Sequence, residues 1–288
     1  MTLSITPFQK GIGATITGID LSVQPDAATF AEIKTALDAH QLLSFPEQEL
    51  DATGQVAFAK QFGPLDIHVL EQYNHPDFPE IFMLSNEVVD GKPLGLSDAG
   101  SYWHSDFAFR PKPAYVTMLH AKKIPSQGGN TLFADMYAAY DALDAETQKL
   151  LAGRRAVQRY RKRGDTLGGG TRVSMTADQQ AKTPDVAHPL VRAHPETGRP
   201  ALFAPIGTTA EIEGLPEDES ADLLRKLFSH MVEDRFVTEY AWTARDLVFW
   251  DNRFTMHKAT SDALSGDEPR TLYRTTSMGE IPVLATAA

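Results

Sequence analysis

Short apolar runs, separated at close intervals by proline and glycine, constrain the fold of this chain more than any other feature. The runs are Ile81 to Leu84, Tyr102 to Phe109, Tyr115 to Ala121, Leu202 to Pro205 and Leu247 to His257. Proline and glycine interrupt strands because one lacks a backbone donor and the other lacks a side chain to pack. Many short strands at close spacing are typical of a sandwich or barrel. The pattern therefore predicts a mainly β fold with peripheral helices.

Helical periodicity marks four further segments. Apolar residues three or four apart predict helices over Ala27 to His40, Ala52 to Phe62, Met136 to Ala152 and Glu219 to Phe236. Leu42 to Phe45 reads as a short buried strand that Pro46 ends. No internal repeat is found, and β proteins of this size are often one unit. We therefore expect residues 1–288 to form a single domain with helical and loop insertions.

Two glycine-containing stretches do not look like core. They are Asp90 to Ser101 and Arg159 to Thr171. Each is a candidate lid, and each is equally consistent with a surface loop without a role.

Composition excludes several classes of protein. The chain has no cysteine, which rules out disulfides, thiolate metal sites and a catalytic thiol. Its net charge of −11 argues against binding nucleic acid or anionic membranes. No signal peptide is recognisable, and no apolar run reaches the roughly 20 residues that a membrane helix needs. We expect a cytoplasmic protein.

A candidate metal pair lies in the run from Trp103 to Phe109. If this run is a strand, His104 and Asp106 share one face with the small Ala108, while the large side chains between them face the core. An imidazole and a carboxylate on one face suit two neighbouring ligands of a metal. The alternative is that His104 only satisfies hydrogen bonds. Two similar patterns, His75-Pro76-Asp77 and His194-Pro195-Glu196, are interpreted as surface loops.

His257 is the natural third ligand, because it follows an apolar strand that turns polar just before it. Two histidines and one carboxylate form the facial triad of non-haem iron enzymes, which leaves open coordination positions. A structural histidine is the alternative. Further along, Arg270 and Arg274 would share a face if their segment is a strand. A guanidinium pairs with a carboxylate through two hydrogen bonds, although both arginines could instead form surface ion pairs.

These residues resemble the taurine dioxygenase and 2,4-dichlorophenoxyacetate dioxygenase family. The likeness covers most of the chain. It is carried, in order, by Gly13 to Leu21, Ala59 to Leu65, Trp103 to Asp106, Gly128 to Phe133, Trp250 to His257, Arg270 and Arg274.

The resemblance implies a double-stranded β-helix, or jelly-roll, fold and the cofactors Fe(II), 2-oxoglutarate and O2. It implies iron at His104, Asp106 and His257, with the distal carboxylate of 2-oxoglutarate on Arg270 and Thr131. The expected reaction hydroxylates a C–H bond and releases succinate and CO2.

The same resemblance implies that Arg274 and His68 bind a small anionic organic substrate. It implies that Asn252 and Arg253 are either structural or partners of the metal ligands, and are not catalytic. In the taurine enzymes a tyrosine closely follows the pocket histidine, whereas here the run is His68-Val69-Leu70-Glu71-Gln72-Tyr73. We therefore expect a carboxylate or sulfonate other than taurine, larger or aromatic.

Other readings stay open from the sequence. The same chemistry on an amino acid or a biosynthetic metabolite is one, and a zinc hydrolase with the same ligands is another. A non-catalytic jelly-roll binding protein is a third. We also expect a homo-oligomer, as acidic enzymes of this kind often are.

Overall fold

The computed structural model describes residues 3–97, 99–160, 177, 181, 183–260 and 268–285. Its strands are β1 (Ser4–Pro7), β2 (Ala14–Thr17), β3 (Leu42–Phe45), β4 (Phe82–Ser85), β5 (Val88–Val89), β6 (Lys92–Pro93), β7 (Ala114–Lys123), β8 (Thr131–Asp135), β9 (Arg155–Gln158), β10 (Val186–Pro189), β11 (Val191–Ala193), β12 (Pro200–Leu202), β13 (Thr209–Ile212), β14 (Val237–Tyr240), β15 (Leu247–Asp251), β16 (Thr255–Ala259) and β17 (Thr271–Met278). Its helices are α1 (Ala27–His40), α2 (Ala52–Lys60), α3 (Met136–Asp141), α4 (Ala145–Leu151) and α5 (Glu217–Met231), with 3-10 turns at Glu71–Tyr73 and Asp234–Phe236.

Two sheets face each other across an apolar cluster. The larger sheet has the order β1-β2-β3-β15-β7-β17-β4, in which only β2 and β3 are parallel, and the smaller has the order β14-β8-β16. Phe133 of β8 packs against Trp250 of β15, with ring centroids 5.1 Å apart, in one buried cluster with Leu119 and Leu272. Packing of both inner faces in this way gives the expected jelly roll.

A sharp corner carries the chain from the larger sheet to the smaller one. It begins at Asp251, whose carboxylate accepts hydrogen bonds from Arg253 Nε at 2.9 Å and Arg253 Nη2 at 2.7 Å. Thr255 Oγ1 donates to the Asp251 carbonyl at 2.8 Å. Because these groups are buried, their mutual bonds remove the cost of leaving polar atoms unpaired at the corner. The predicted single strand from Leu247 to His257 is therefore two strands, and His257 lies in the second.

The helices cover the outer surfaces and begin where the sequence supplies caps. Asp26, Asp51, Asp135 and Asp144 each accept a backbone hydrogen bond at the start of α1, α2, α3 and α4. Such caps satisfy amides that the first helical turn leaves free. The predicted helix from Met136 to Ala152 was wrong as one element, because the cap at Asp144 starts a second helix. The last predicted helix begins earlier, at Glu217, and ends at Met231.

Other boundaries also differ from the predictions. Helix α1 and strand β3 match them, whereas α2 ends at Lys60 and the strand expected at Leu202 to Pro205 lies at Pro200–Leu202. Tyr102 to Phe109 is not a strand, because the chain turns from Asp106 to Phe109. Within the described ranges, no helix combines the length and apolar character that crossing a membrane requires.

The two candidate lids have different outcomes. Asp90 to Ser101 contains part of the β5–β6 hairpin and then a turn, and its end contributes Leu96, Ala99 and Gly100 to the wall of a cavity. Of Arg159 to Thr171, only Arg159 and Tyr160 are described, and the rest of that stretch lies outside the described residues.

Candidate metal centre

His104 and His257 are brought together by a pair of backbone hydrogen bonds. The amide of His104 donates to the carbonyl of His257 at 3.0 Å, and the amide of His257 donates to the carbonyl of His104 at 2.8 Å. His257 belongs to β16, while His104 forms only this isolated bridge. The two imidazole rings lie 4.1 Å apart between centroids. Backbone pairing alone therefore fixes two donors side by side.

Asp106 reaches the same point from a turn, so the strand expected here was wrong. The chain leaves extended geometry after Ser105, and Phe107 has a φ of 52°. Positive φ is unfavourable for a large side chain, so the turn must be held by its surroundings. Phe107 and Phe109 line the same cavity as His104, whereas Trp103 packs into the core beside the helices. The even spacing predicted the convergence of the two ligands but not its geometry.

The three side chains form a compact donor set. His104 Nε2 lies 3.9 Å from Asp106 Oδ1, and His257 Nε2 lies 3.7 Å from Asp106 Oδ2. Their donor atoms lie within 4.8 Å of one another, and among the described residues they form the group able to hold a metal ion. His75 and His194 do not join it. His194 is buried and stacks on Phe254 at 5.0 Å, so its interpretation as part of a surface loop was wrong for the side chain.

The protonation of the set suits a divalent cation. His104 Nδ1 lies 2.8 Å from the Tyr102 carbonyl, which can only accept, so the proton sits on Nδ1 and the Nε2 lone pair is available. Burial, then the neighbouring His104, hold the pKa of His257 well below its usual value, so this imidazole is neutral. Burial raises the pKa of Asp106, but the charge of Arg274 and the hydrogen bond from Thr117 outweigh it and lower the net value. Two neutral imidazoles and one carboxylate fit Fe(II) and leave coordination positions open.

One cavity beside the triad contains a buried guanidinium, and we call it the Arg270 cavity. It has about 390 Å³ of empty volume and is lined by Thr131, His257, Arg270 and Arg274, among others. Arg270 donates from Nε and Nη2 to the Gly129 carbonyl at 3.2 and 3.0 Å. No carboxylate in the described ranges forms an ion pair with it, and burial lowers its pKa to about 10. A buried cation without a counter-ion is costly, so the cavity is suited to an anion.

Thr131 offers this cavity an oriented hydroxyl. Trp242 Nε1 donates to Thr131 Oγ1 at 3.0 Å. An indole nitrogen only donates, so the hydroxyl accepts from it and keeps its own proton for another acceptor. Arg270 and Thr131 thus line one cavity.

The second cavity, which His104 also lines, is larger and richer in aromatic side chains, and we call it the His68 cavity. It has about 570 Å³ of empty volume, part of which is open to solvent. Apolar and aromatic side chains make up much of its wall: Leu70, Phe82, Leu96, Tyr102, Phe107, Phe109 and Tyr160. His104 and Arg274 line both cavities, so the cavities meet at the triad.

His68 and Arg274 supply polar groups in this second cavity. His68 Nδ1 accepts from the Leu70 amide at 3.1 Å, so a neutral ring carries its proton on Nε2. Burial, followed by Arg274 and Arg110, holds the pKa of His68 well below its ordinary value. Arg274 donates to Asp106 Oδ1 at 3.1 Å and lies over the Phe82 ring at 4.7 Å. Tyr73, by contrast, lies in a 3-10 turn with its ring 6.1 Å from that of Phe82, and it does not line the cavity.

Sequence reasoning missed several residues around the site. Thr117 donates to Asp106 Oδ2 at 2.6 Å, and the only sequence signal was a threonine within the apolar run of β7. Arg110 pairs with Asp66 and lies over the Phe107 ring at 4.4 Å. No local pattern distinguishes such a pair from an ordinary surface ion pair.

Comparisons with known proteins agree with this geometry. Residues 4–276 match the family model described as taurine catabolism dioxygenase TauD, TfdA family. The chain is 36% identical to an alpha-ketoglutarate-dependent 2,4-dichlorophenoxyacetate dioxygenase of Cupriavidus pinatubonensis, over 98% of this chain and 100% of the relative. It is also 36% identical to an (S)-phenoxypropionate/alpha-ketoglutarate-dioxygenase of Delftia acidovorans, over 90% and 89%.

Solved structures agree as well. A taurine dioxygenase from Burkholderia xenovorans superposes with a TM-score of 0.82 at 29% identity, covering 100% of this chain and 96% of that one. AAD-2 in complex with Mn(II) and N-oxalylglycine superposes with a TM-score of 0.81 at 30% identity, covering both chains fully. With its jelly roll and its His-Asp-His triad between two arginine-containing cavities, the chain belongs to the taurine dioxygenase and 2,4-dichlorophenoxyacetate dioxygenase family of Fe(II)- and 2-oxoglutarate-dependent oxygenases.

Proposed function

We propose that this dioxygenase binds Fe(II) through His104, Asp106 and His257 and hydroxylates a small anionic organic substrate. The observation that carries the proposal is the position of the triad between two cavities, each of which contains a guanidinium. Fe(II), 2-oxoglutarate and O2 together supply the chemistry that hydroxylates a C–H bond while 2-oxoglutarate becomes succinate and CO2. The protein supplies binding, orientation and exclusion of water.

In this proposal the Arg270 cavity takes 2-oxoglutarate. Arg270 would pair with the distal carboxylate, because its buried charge lacks a carboxylate partner in the described ranges. Thr131 would donate the hydroxyl proton that Trp242 leaves free. Charge-assisted hydrogen bonds of this kind are about twice as strong as neutral ones.

The His68 cavity takes the organic substrate. Arg274 would bind its anionic group, and the neutral His68 would donate from Nε2. The stacking of Arg274 on Phe82 limits the directions in which the guanidinium can turn. Both groups would hold the substrate close to the triad, which is the condition for a selective reaction.

The wall of the His68 cavity favours an aryloxyalkanoate or another aromatic carboxylate over taurine. Phe107, Phe109 and Tyr160 present apolar surface that a small zwitterion does not use. The relatives that act on 2,4-dichlorophenoxyacetate and phenoxypropionate support this substrate class. A sulfonate remains a second candidate, because a relative in Schizosaccharomyces pombe, 31% identical, is described as an alpha-ketoglutarate-dependent sulfonate dioxygenase.

A zinc hydrolase with the same ligands is less well supported. Zinc accepts two histidines and a carboxylate. A hydrolase, however, would not need the additional anion site that Arg270 and Thr131 form. We further propose that residues 1–288 form one catalytic domain that assembles into a homo-oligomer in the cytoplasm.

The anaerobic visible spectrum tests the function. We expect a charge-transfer band when Fe(II) and 2-oxoglutarate are added together, and a sharper band when the correct substrate follows. The compounds to add are 2,4-dichlorophenoxyacetate, (S)-phenoxypropionate and taurine. Asp106→Ala serves as the control and should give no band. Folded, iron-binding protein without a band would contradict the assignment of the Arg270 cavity to 2-oxoglutarate.

A further inference from the structure

The side chain of Asn252 lies directly behind the triad, and its orientation is fixed by two donors. Asn252 Oδ1 accepts from Trp250 Nε1 at 3.1 Å and from the Asp106 amide at 3.1 Å. An indole nitrogen and a backbone amide can only donate, so the atom between them must be the oxygen. The opposite flip of the amide would place donor against donor twice. The neighbours of Asn252 therefore determine which way its amide points.

The other end of this amide then determines the direction of a hydroxyl. Asn252 Nδ2 donates to Thr117 Oγ1 at 2.9 Å and lies 3.4 Å from the Tyr115 carbonyl, to which it also donates. Thr117 therefore accepts from Asn252 and must direct its own proton elsewhere. Its nearest acceptor is Asp106 Oδ2 at 2.6 Å, whereas the hydroxyl of Thr276 is 3.4 Å away. Hydrogen bonds run in one direction from Trp250 to Asp106.

Burial makes this arrangement rigid. Thr117 is fully buried, and Trp250 and Asn252 are each 1% exposed. Thr117 lies in the middle of β7, between β15 and β17, and Trp250 lies in β15, so the backbones of both residues are held by sheet pairing. In a buried site every polar atom needs a partner, and all four hydrogen-bonding positions of the Asn252 amide have one.

We propose that Asn252 and Thr117 are positioning residues that hold the Asp106 carboxylate ready for the metal ion. A carboxylate on a turn can rotate about its side-chain bonds, and Thr117 fixes one of its two oxygens. The inference rests on the proposed iron site at Asp106. Partners of metal ligands typically change metal affinity by about 10- to 100-fold when they are removed.

Anaerobic titration of the metal-free protein with Co(II), followed by visible absorption, tests the inference without requiring turnover. Thr117→Val removes the hydroxyl and keeps the shape of the side chain. We expect it to weaken Co(II) binding by about 10- to 100-fold and to change the Co(II) spectrum. Thr117→Ser restores the hydroxyl and should bind within about threefold of the unsubstituted protein, within the precision of such context-dependent effects.

Thr276→Val is the matched control. Thr276 is the register partner of Thr117 on β17, is equally buried, and has no hydrogen bond to Asp106. We expect it to leave Co(II) affinity and spectrum unchanged while lowering thermal stability as Thr117→Val does. Equal losses of affinity in both valine variants would overturn the inference, because general packing would then explain them. If Thr117→Val does not fold, Thr117→Ala and Thr276→Ala replace the pair.

The same titration separates failure of this inference from failure of the proposed function. Asp106→Ala should lose Co(II) binding. If Asp106→Ala binds as the unsubstituted protein does, the metal assignment itself is wrong. If Asp106→Ala loses binding but Thr117→Val does not, the metal centre stands and the positioning role of Thr117 is overturned.

Discussion

The two cavities that meet at the triad are built in different ways. The Arg270 cavity is lined largely by residues of the sheets, such as Leu84 of β4, Leu119 of β7, Thr131 of β8 and Trp250 of β15. The His68 cavity is lined largely by residues outside the strands, among them His68, Leu96, Tyr102, Phe107 and Tyr160. The first is held by sheet pairing, and the second is held mainly by turns and packing.

The difference matches the different tasks that we propose for the two cavities. Ladder hydrogen bonds fix side chains on strands closely, which suits one invariant cosubstrate. Loops accept substitution without disturbing the sheets, which suits a substrate that differs between relatives. We therefore expect substitutions in the two cavities to affect different ligands. The following predictions test that separation, from the largest effect to the smallest.

Replacing His104 should have the largest effect, since His104 lines both cavities and belongs to the triad. We expect His104→Ala to lose metal binding and turnover to the level of the metal-free protein. Metal content and turnover measure this, with His75→Ala, a histidine outside the triad, as the control. Turnover at the original rate in His104→Ala would contradict the metal assignment.

Replacing Arg270 should affect only 2-oxoglutarate. Arg270→Met keeps much of the side-chain length but leaves the distal carboxylate without its charged partner, a loss of about 3 kcal/mol, or roughly 100-fold in affinity. Anaerobic titration with 2-oxoglutarate measures the change, and Co(II) affinity should remain unchanged. An equal loss of substrate affinity would show that the cavities are not separate.

Acid should destabilise the wall of the His68 cavity through His188. His188 Nε2 donates to the Arg110 carbonyl at 2.8 Å, next to the turn that carries Phe107 and Phe109. Burial is the main cause that lowers the pKa of His188 to about 4. In the unfolded chain the pKa is about 6.5, so between pH 6.5 and 4 the unfolded state binds the extra proton. Stability therefore falls as pH falls through this window, by about 2 kcal/mol from pH 6.5 to 5.

His188→Gln provides the control for this pH effect. Glutamine keeps a side-chain N–H donor for Arg110 but cannot take up a proton. The free energy of unfolding, measured by denaturant titration at each pH, should then depend less on pH. Some dependence should remain, because burial also lowers the pKa of His120 to about 4. An unchanged slope in His188→Gln would rule out the contribution of His188.

Replacing Arg274 should affect mainly the organic substrate. We expect Arg274→Ala to raise the KM for an anionic substrate by about tenfold or more, as for the loss of one charge-assisted pair. Affinity for 2-oxoglutarate should change little. Arg274 also contacts Asp106, so Co(II) affinity must be measured alongside. A change confined to 2-oxoglutarate would reverse the assignment of the cavities.

Enlarging the His68 cavity should produce the smallest effect. Leu96→Ala removes apolar surface from the His68 cavity only, since Leu96 does not line the Arg270 cavity. We expect its preference between 2,4-dichlorophenoxyacetate and a bulkier aryloxy acid to shift by roughly tenfold, as for a few methylene groups. Competition between the two substrates measures the ratio. A change in 2-oxoglutarate affinity of the same size would contradict the separation.

The sequence predicted those parts of the fold whose boundaries are set by neighbouring residues in the chain. Helix α1 and strand β3 have the predicted bounds, because an aspartate cap begins one and a proline ends the other. Predicted boundaries were wrong where helical periodicity concealed a capping residue. At Asp144, a cap splits one predicted helix into two. The strand predicted from Tyr102 to Phe109 was wrong because tertiary packing holds Phe107 in a left-handed conformation. Alternation of apolar residues does not indicate such a conformation.

The sequence by itself determined the chemical inventory of the site. The types and order of His104, Asp106, His257, Arg270 and Arg274, with the family they resemble, identified the class of enzyme and its cofactors. These residues could be found because their types are chemically distinctive wherever they stand in the chain.

Only the tertiary structure decided how those groups are oriented. Thr117 and Asn252 are 135 positions apart, yet their hydrogen bond directs a proton to the Asp106 carboxylate. The division into two cavities likewise depends on loops and strands that are distant in the chain. Hydrogen-bond direction and cavity shape depend on distances of a few ångströms between such segments, and local periodicity carries no information about them.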